Sequence, residues 1–368
     1  MASVDALLLH LVESKGSDLL IATGSPPVYR IYGKLFRLEM PDLAHSAVEG
    51  YLHELLPRDD LDRLTREQSL DFTYEIRDNR GFFRFRCNAY LQSLGLNIVF
   101  RFIPGTVPHL ADLGLPEAVS RIMSHHQGLV LVTGPSGSGK TTTLAALVNL
   151  INESEPLHIV TIEDPIEFIH PEKKSLVTQR QVGTHVVSFP HALRAALRED
   201  PDVIMVGELR DQETIQQAIT ASETGHLVLG TLNTNSASQT IDRIIDSFPP
   251  EKQPLIRSLV SDSLRGIISQ QLIHRADGNG MVPAVELLIT TASLANLIRE
   301  GKSFQIISVL QTGRSLGMQT MDFHLAELVA GNIVTIDEAM DHAFDRKILT
   351  ECLRKAGVSI ETAGEAVI

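Results

Sequence analysis

Gly134, Pro135, Ser136, Gly137, Ser138, Gly139, Lys140 and Thr141 follow one another in the pattern G-x-x-x-x-G-K-[ST]. Glycines at this spacing let backbone N–H groups turn inward onto an anion, and a helix opening directly afterwards adds the positive end of its dipole. The pattern predicts a nucleoside triphosphate cradle. Lys140 would reach the β- and γ-phosphates, the Thr141 hydroxyl would ligate Mg²⁺, and Thr142 would complete the nucleotide-binding stretch. The flanks fit. Leu129–Thr133 is a short apolar run suited to a buried strand, and residues 142–151 have helical character.

Hydrolysis needs more than a cradle: acids for metal and water, and polar groups that sense the terminal phosphate. Three later segments offer them. His158–Glu163 reads as a buried strand ending in Glu163-Asp164-Pro165. Successive strand side chains alternate faces, so only one of the two acids can enter a site. Glu163 is favoured for polarising water. Residues 203–206 form an apolar run followed by Gly207-Glu208, where Glu208 reads either as a metal-side acid or as a structural partner of Arg210. Leu227–Leu232 is a strand bracketed by polar residues, among them His226, a possible donor to a phosphate oxygen, and Asn233. Arginines form a fourth set. Arg84, Arg86 and Arg101 lie in predicted strands near the N-terminus, and Arg194 and Arg198 share a helix face. An arginine supplied by another domain or subunit can stabilise phosphoryl transfer, though spacing alone reads most of these as surface ion pairs.

The elements that must carry these groups fall into an α/β arrangement. Residues 1–103 alternate helix and strand patterns as an α+β unit. An N-terminal amphipathic helix ends near Lys15-Gly16, strands flank the Gly24–Pro27 turn, helices are predicted at Ala44–Leu56 and Arg58–Glu67, and three alternating segments follow at 71–76, 81–91 and 96–102. Residues 104–108 read as a linker. Strand–helix–strand alternation over 109–275 predicts a parallel-sheet core. After the turn at 276–280 a mostly helical region is expected to about 356, then a loose tail over 357–368.

The chain has 368 residues, 43% of them hydrophobic and 21% charged, with a formal net charge of −13. That balance argues against general nucleic-acid binding, which needs a basic face. Cys87 and Cys352 cannot make a disulfide framework or a four-cysteine zinc site, so a reducing cytoplasmic setting is expected. No apolar run approaches membrane-spanning length. The N-terminal apolar run lacks a preceding basic region and does not read as a signal peptide. Membrane association would therefore go through a partner.

Taken together, the segments resemble the PilT family of type IV pilus retraction motors, within the secretion-type, AAA-like ATPases. Glu163–Glu167 is similar to the family's Asp box, 198–208 to its Walker B region and 224–236 to its His box. The resemblance spans roughly residues 3–350. It implies a homo-hexameric ring of subunits, each with an N-terminal PAS-like domain and a RecA-like ATPase domain, with ATP between the domains. It also implies Glu163 as catalytic glutamate, Glu208 as Walker B glutamate, and Arg86 and Arg101 approaching the phosphates. Such a motor would sit peripherally at the inner membrane, work against a platform protein and join paralogous pilus ATPases. Three positions depart from the family pattern: Asn233 replaces a histidine, Leu20 ends the Ser17-Asp-Leu-Leu segment where histidine is usual, and Ala295 replaces an arginine. Assembly or secretion motors and a nucleotide-binding regulatory paralogue are the competing readings.

Overall fold

The computed structural model describes residues 4–359 except Asn79, Arg80 and Pro104. Pro104 of the expected linker and residues 360–368 of the expected tail lie outside the described residues. Two compact units emerge, dividing between Thr106 and Val107, with the short segment Glu167–Ile169 grouped with the first.

The first unit is a six-stranded antiparallel sheet with helices Asp5–Glu13, His45–Leu55 and Arg58–Glu67. Its strands are β1 (Gly16–Ala22), β2 (Val28–Ile31), β3 (Lys34–Arg37), β4 (Ser69–Asp78), β5 (Gly81–Gln92) and β6 (Gly95–Ile103), in the order β3-β2-β1-β6-β5-β4. Alternation sorts the side chains: Phe85, Cys87 and Ala89 of β5 and Ile98 and Phe100 of β6 enter the core with Leu8, Leu11, Val48 and Leu52 from the helices. Strand β3 is fully exposed along its length, so it carries none of the burial signal by which the other strands are read.

The second unit contains β7 (Gly128–Thr133), β8 (His158–Glu163), β9 (Leu176–Gln181), β10 (Val203–Val206), β11 (Leu227–Leu232), β12 (Leu264–His274) and β13 (Met281–Ile289). Their order is β13-β12-β7-β11-β10-β8-β9. All neighbouring pairs are parallel except β12–β13, which is antiparallel. The central strands are apolar throughout because both faces are covered. Leu129 and Leu131 pack on one face with helices Phe189–Ala196, Gln212–Glu223 and Ala237–Asp246. Val130 and Val132 pack on the other with Leu144, Leu147, Val148 and Ile151 of helix Lys140–Ser154. Each such side chain contributes on the order of 1.5–3 kcal/mol through burial.

The expectation of a mostly helical stretch directly after residue 280 is corrected. Met281–Ile289 is a strand that extends the sheet, and helices begin at Ala292. Its Val-Pro-Ala-Val-Glu-Leu-Leu-Ile run is buried on both faces and shows no alternation, a pattern that periodicity cannot separate from a helix. Beyond it, Gln319 exchanges two backbone hydrogen bonds with Leu287 (2.9 and 3.1 Å). Helix Met321–Ala330 then packs Met321, Leu325 and Val329 against Ile273, Val282 and Ala284. Among the described residues no helix is long and apolar enough to cross a membrane.

Glu286 of β13 joins these parts. It is 3% exposed, and its Oε1 accepts the Ala237 N–H at 2.8 Å, at the start of helix Ala237–Asp246. Burial pushes its carboxyl up to about 7, with a smaller contribution from Asp322 and opposing ones from the Ala237 and Met321 backbone N–H groups. From about pH 4.5 to 7 the folded chain holds a proton that the unfolded chain releases, so this group's contribution falls as pH rises through that window. Glu286→Gln removes the titration. Its unfolding free energy relative to wild type is expected to improve by about 3 kcal/mol between pH 5 and 8. Urea unfolding at the two pH values checks this, and an unchanged difference refutes it.

Candidate functional site

Because β7, β11, β10 and β8 run parallel, their C-terminal ends share one edge of the sheet, where ligands bind in open α/β sheets. The segments that leave these ends are, in spatial order, the glycine-rich loop after β7, Asn233 after β11, Glu208 after β10 and Glu163 at the end of β8. Strands sit about 4.8 Å apart, so the row spans roughly 15 Å.

The loop is built to hold an anion. Gly134 has φ +149°, and a Cβ there would lie 2.2 Å from the Gln270 carbonyl oxygen and 2.5 Å from Ser138 Oγ. Only glycine lets the backbone pass so close. Gly139, with φ +87°, precedes the helix Lys140–Ser154, whose first turn has no side-chain cap. The 15-residue helix therefore directs unpaired N–H groups into the loop. Ser138 Oγ is buried without a hydrogen-bond partner. Lys140 Nζ donates to the carbonyls of Gly134 and Pro135, each at 2.8 Å. Burial lowers the Lys140 amine from its ordinary range, and the Glu208 charge partly offsets this. These features fit a phosphate group. Pro135, Ser136 and Gly137 complete the loop, with Ser136 and Gly137 exposed at its tip, and Thr141 and Thr142 are half-buried on the first helical turn.

Gln270 braces the loop from β12. Its Nε2 donates to the Ser138 carbonyl at 2.6 Å, and its Oε1 accepts from Thr143 Oγ1 at 2.9 Å. Sequence reasoning missed Gln270, which sits in a strand of otherwise ordinary polarity. The available signal is a buried polar side chain on the strand adjoining the loop.

Glu163 is 4% exposed, and its Oε1 accepts hydrogen bonds from Thr161 Oγ1 (2.6 Å) and Gln179 Nε2 (3.1 Å). Asp164, the alternative acid, is exposed. Glu208 accepts from Arg210 Nε at 2.7 Å on Oε2 and from Asn233 Nδ2 at 2.8 Å on Oε1. The ion pair with Arg210 is thus present, alongside a contact to the residue that departs from the family pattern. Gly207 packs close to the Glu163 backbone: a Cβ there would meet Glu163 Cα at 3.5 Å.

His226 requires a correction. It precedes β11, at the edge opposite the phosphate loop, and the six residues of the strand separate the two by roughly 20 Å. Its Nδ1 lies 3.0 Å from the Ala221 carbonyl and caps the end of helix Gln212–Glu223. Its backbone carbonyl accepts from Gly128 N–H. Within the chain it does not join the phosphate edge; Asn233 does. Strand direction was the missing consideration, since in a parallel sheet only residues after a strand reach the C-terminal edge.

In the first unit, Arg86 of β5 stands directly opposite Arg101 of β6, and Arg101 stands opposite Asp18 of β1. Asp18, 3% exposed, pairs with Arg101 Nε at 2.9 Å and Arg30 Nε at 3.6 Å. Asp18 thus pairs with two guanidinium groups, and Arg86 stands next in the row beside Arg101. Arg84 pairs with Glu75 at 3.5 Å, and Arg194 pairs with Glu213.

A parallel sheet with a phosphate loop after a central strand and acids at the neighbouring strand ends defines a RecA-like, nucleotide-binding ATPase. Residues 62–357 match the family model of type II/IV secretion system proteins. The type IV pilus retractation ATPase PilT of Pseudomonas aeruginosa is 47% identical over 342 residues, covering 92% of this chain and 98% of the relative. A twitching motility protein of Neisseria gonorrhoeae is 47% identical over 334 residues, covering 90% and 88%. The crystal structure of the pilus retraction motor PilT with bound ADP superposes with a TM-score of 0.86 at 41% identity, covering 95% of this chain and 99% of that one. The chain belongs to the type II/IV secretion system protein family and, within it, to the PilT ATPases.

Proposed function

We propose that this chain is a Mg²⁺-dependent, ATP-hydrolysing motor for type IV pilus retraction. The observation that carries the reading is the alignment of phosphate loop, Asn233, Glu208 and Glu163 along one edge of the parallel sheet. Similarity to the retraction ATPase and to the twitching motility protein supports the pilus as the load.

The loop N–H groups and Lys140 bind the phosphates and oppose the charge that develops in phosphoryl transfer. Thr141 and Glu208 are an oxygen-only donor set suited to a hard cation, and would hold Mg²⁺. The metal, when bound, neutralises phosphate charge. Glu163, fixed by Thr161 and Gln179, accepts a proton from the attacking water. Asn233 keeps one side of Glu208 in place through its amide. Arg86 and Arg101 are the arginines proposed to supply further positive charge to the phosphates.

The working form is a homo-hexameric ring whose closing and opening act on an inner-membrane platform protein, with paralogous pilus ATPases as further partners and a cytoplasmic, peripheral location. A gene deletion scored for surface pili and twitching tests the direction of movement. Retraction gives excess pili without movement; an assembly motor would leave the surface bare. Sedimentation with Mg-ATP tests the ring, and monomers alone at micromolar protein would count against it.

A further inference from the structure

Strand β9 reads Leu-Val-Thr-Gln-Arg-Gln and is half-buried along most of its length. It pairs with β8 in parallel, Thr161 opposite Gln179 and Glu163 opposite Gln181. Thr161 and Glu163 are two residues apart on one strand and so share a face. That register brings the Gln179 side chain to the carboxylate.

The polarity of the Gln179 amide is fixed by its other partner. Its Oε1 accepts the backbone N–H of His170 at 2.9 Å, and an N–H can only donate. Nε2 is therefore the end that faces Glu163, at 3.1 Å. Thr161 is fully buried, and its hydroxyl donates to the same Glu163 oxygen at 2.6 Å. Two donors on one carboxylate oxygen favour the charged form and hold the group in one rotamer.

We infer that Gln179 and Thr161 are positioning residues that keep the Glu163 carboxylate ionised and aimed for water activation. This rests on the reading of Glu163 as the water-activating group. Glutamine is required at 179 in both senses: a carboxylate there would repel Glu163 and could not donate to it, and an apolar side chain would leave one of the two donors missing.

Other charged and titratable groups lie on the elements along this edge of the sheet. Asp164 follows Glu163. Arg180 of β9 pairs with Glu199, and Glu208 after β10 pairs with Arg210. Lys140 lies in the phosphate loop. His170 is buried, which pushes its imidazole down to about 4 and keeps it neutral near pH 7. Gln179→Leu also removes the acceptor of the His170 backbone N–H, whereas Gln179→Glu keeps an oxygen there and substitutions at 161 touch none of these groups, so the position 161 variants isolate the effect of a lost donor on the acid limb.

The test is the steady-state kcat and KM for Mg-ATP of the purified full chain, across about pH 5 to 9. Gln179→Glu is expected to move the acid limb up by about one unit or more and to slow hydrolysis at least about tenfold at neutral pH. Gln179→Leu and Thr161→Val are expected to move it up by about half a unit to one unit, with KM for Mg-ATP within about twofold of wild type. Thr161→Ser keeps the hydroxyl and is expected to recover the wild-type limb. If Gln179→Leu fails to fold, the Val and Ser variants at 161 carry the comparison. Wild-type limbs in folded Gln179→Leu and Thr161→Val, with Glu163→Gln inactive, would overturn the inference alone. Wild-type hydrolysis by Glu163→Gln would overturn the assignment of Glu163, and the inference with it.

Discussion

A Lys140→Ala protein is expected to lose ATP turnover by about a hundredfold or more while keeping its fold. Removing a preorganised charge from a phosphoryl-transfer site costs several kcal/mol of transition-state stabilisation, and each 1.4 kcal/mol is about tenfold in rate. The Lys140 amine closes the loop through the Gly134 and Pro135 carbonyls. Those bonds are worth on the order of 1 kcal/mol each in stability, a small part of the total. Circular dichroism and thermal unfolding should therefore stay close to wild type while steady-state ATPase activity collapses. Wild-type turnover in a folded variant would show that the loop does not hold the reacting phosphates.

Glu163→Gln should separate binding from chemistry. The side chain is buried, and glutamine matches its shape while still accepting from Thr161 and Gln179 through its own carbonyl oxygen. What disappears is the ability to take a proton from water. The expected loss is about 10²- to 10⁴-fold in hydrolysis, with Mg-ATP affinity preserved. Equilibrium binding of a fluorescent ATP analogue, read beside single-turnover hydrolysis, makes the comparison. Lost binding with lost hydrolysis would place Glu163 in the cradle and remove it from the chemical step.

Most of the fold was legible because its signals are local. The central strands of the second unit are uninterrupted apolar runs, and the glycines, Lys140 and Thr141 carry their geometry in their spacing. What escaped was set by tertiary context. Strand β13 resembles a helix segment because both its faces are covered. Strand β3 has no buried face to announce it. The strand-end positions of Glu163 and Glu208 were legible because an acid after an apolar run stands out, whereas the neutral amides that bond to such groups do not. Gln179 and Gln270 gain their significance only from what lies opposite them in the sheet. His226 marks the limit of residue type alone: a histidine beside a parallel strand reaches the phosphate edge only if it follows the strand, and His226 precedes it.

Strand β13 has a further consequence, for solubility. It is the outermost strand of its sheet, and Val282, Ala284, Val285, Leu287 and Leu288 are all buried. An uncovered edge of that composition is a template for pairing with another molecule. Pro283 removes one backbone donor from it, and Gln319 occupies the Leu287 position with two hydrogen bonds. Helix Met321–Ala330 covers the apolar side chains nearby. The segment from Gln319 through helix Met321–Ala330 thus acts as a guard on the edge of the ATPase sheet. A chain cut after residue 290 would be expected to aggregate through β13, and an attempt to isolate a minimal ATPase should keep the segment through Ala330.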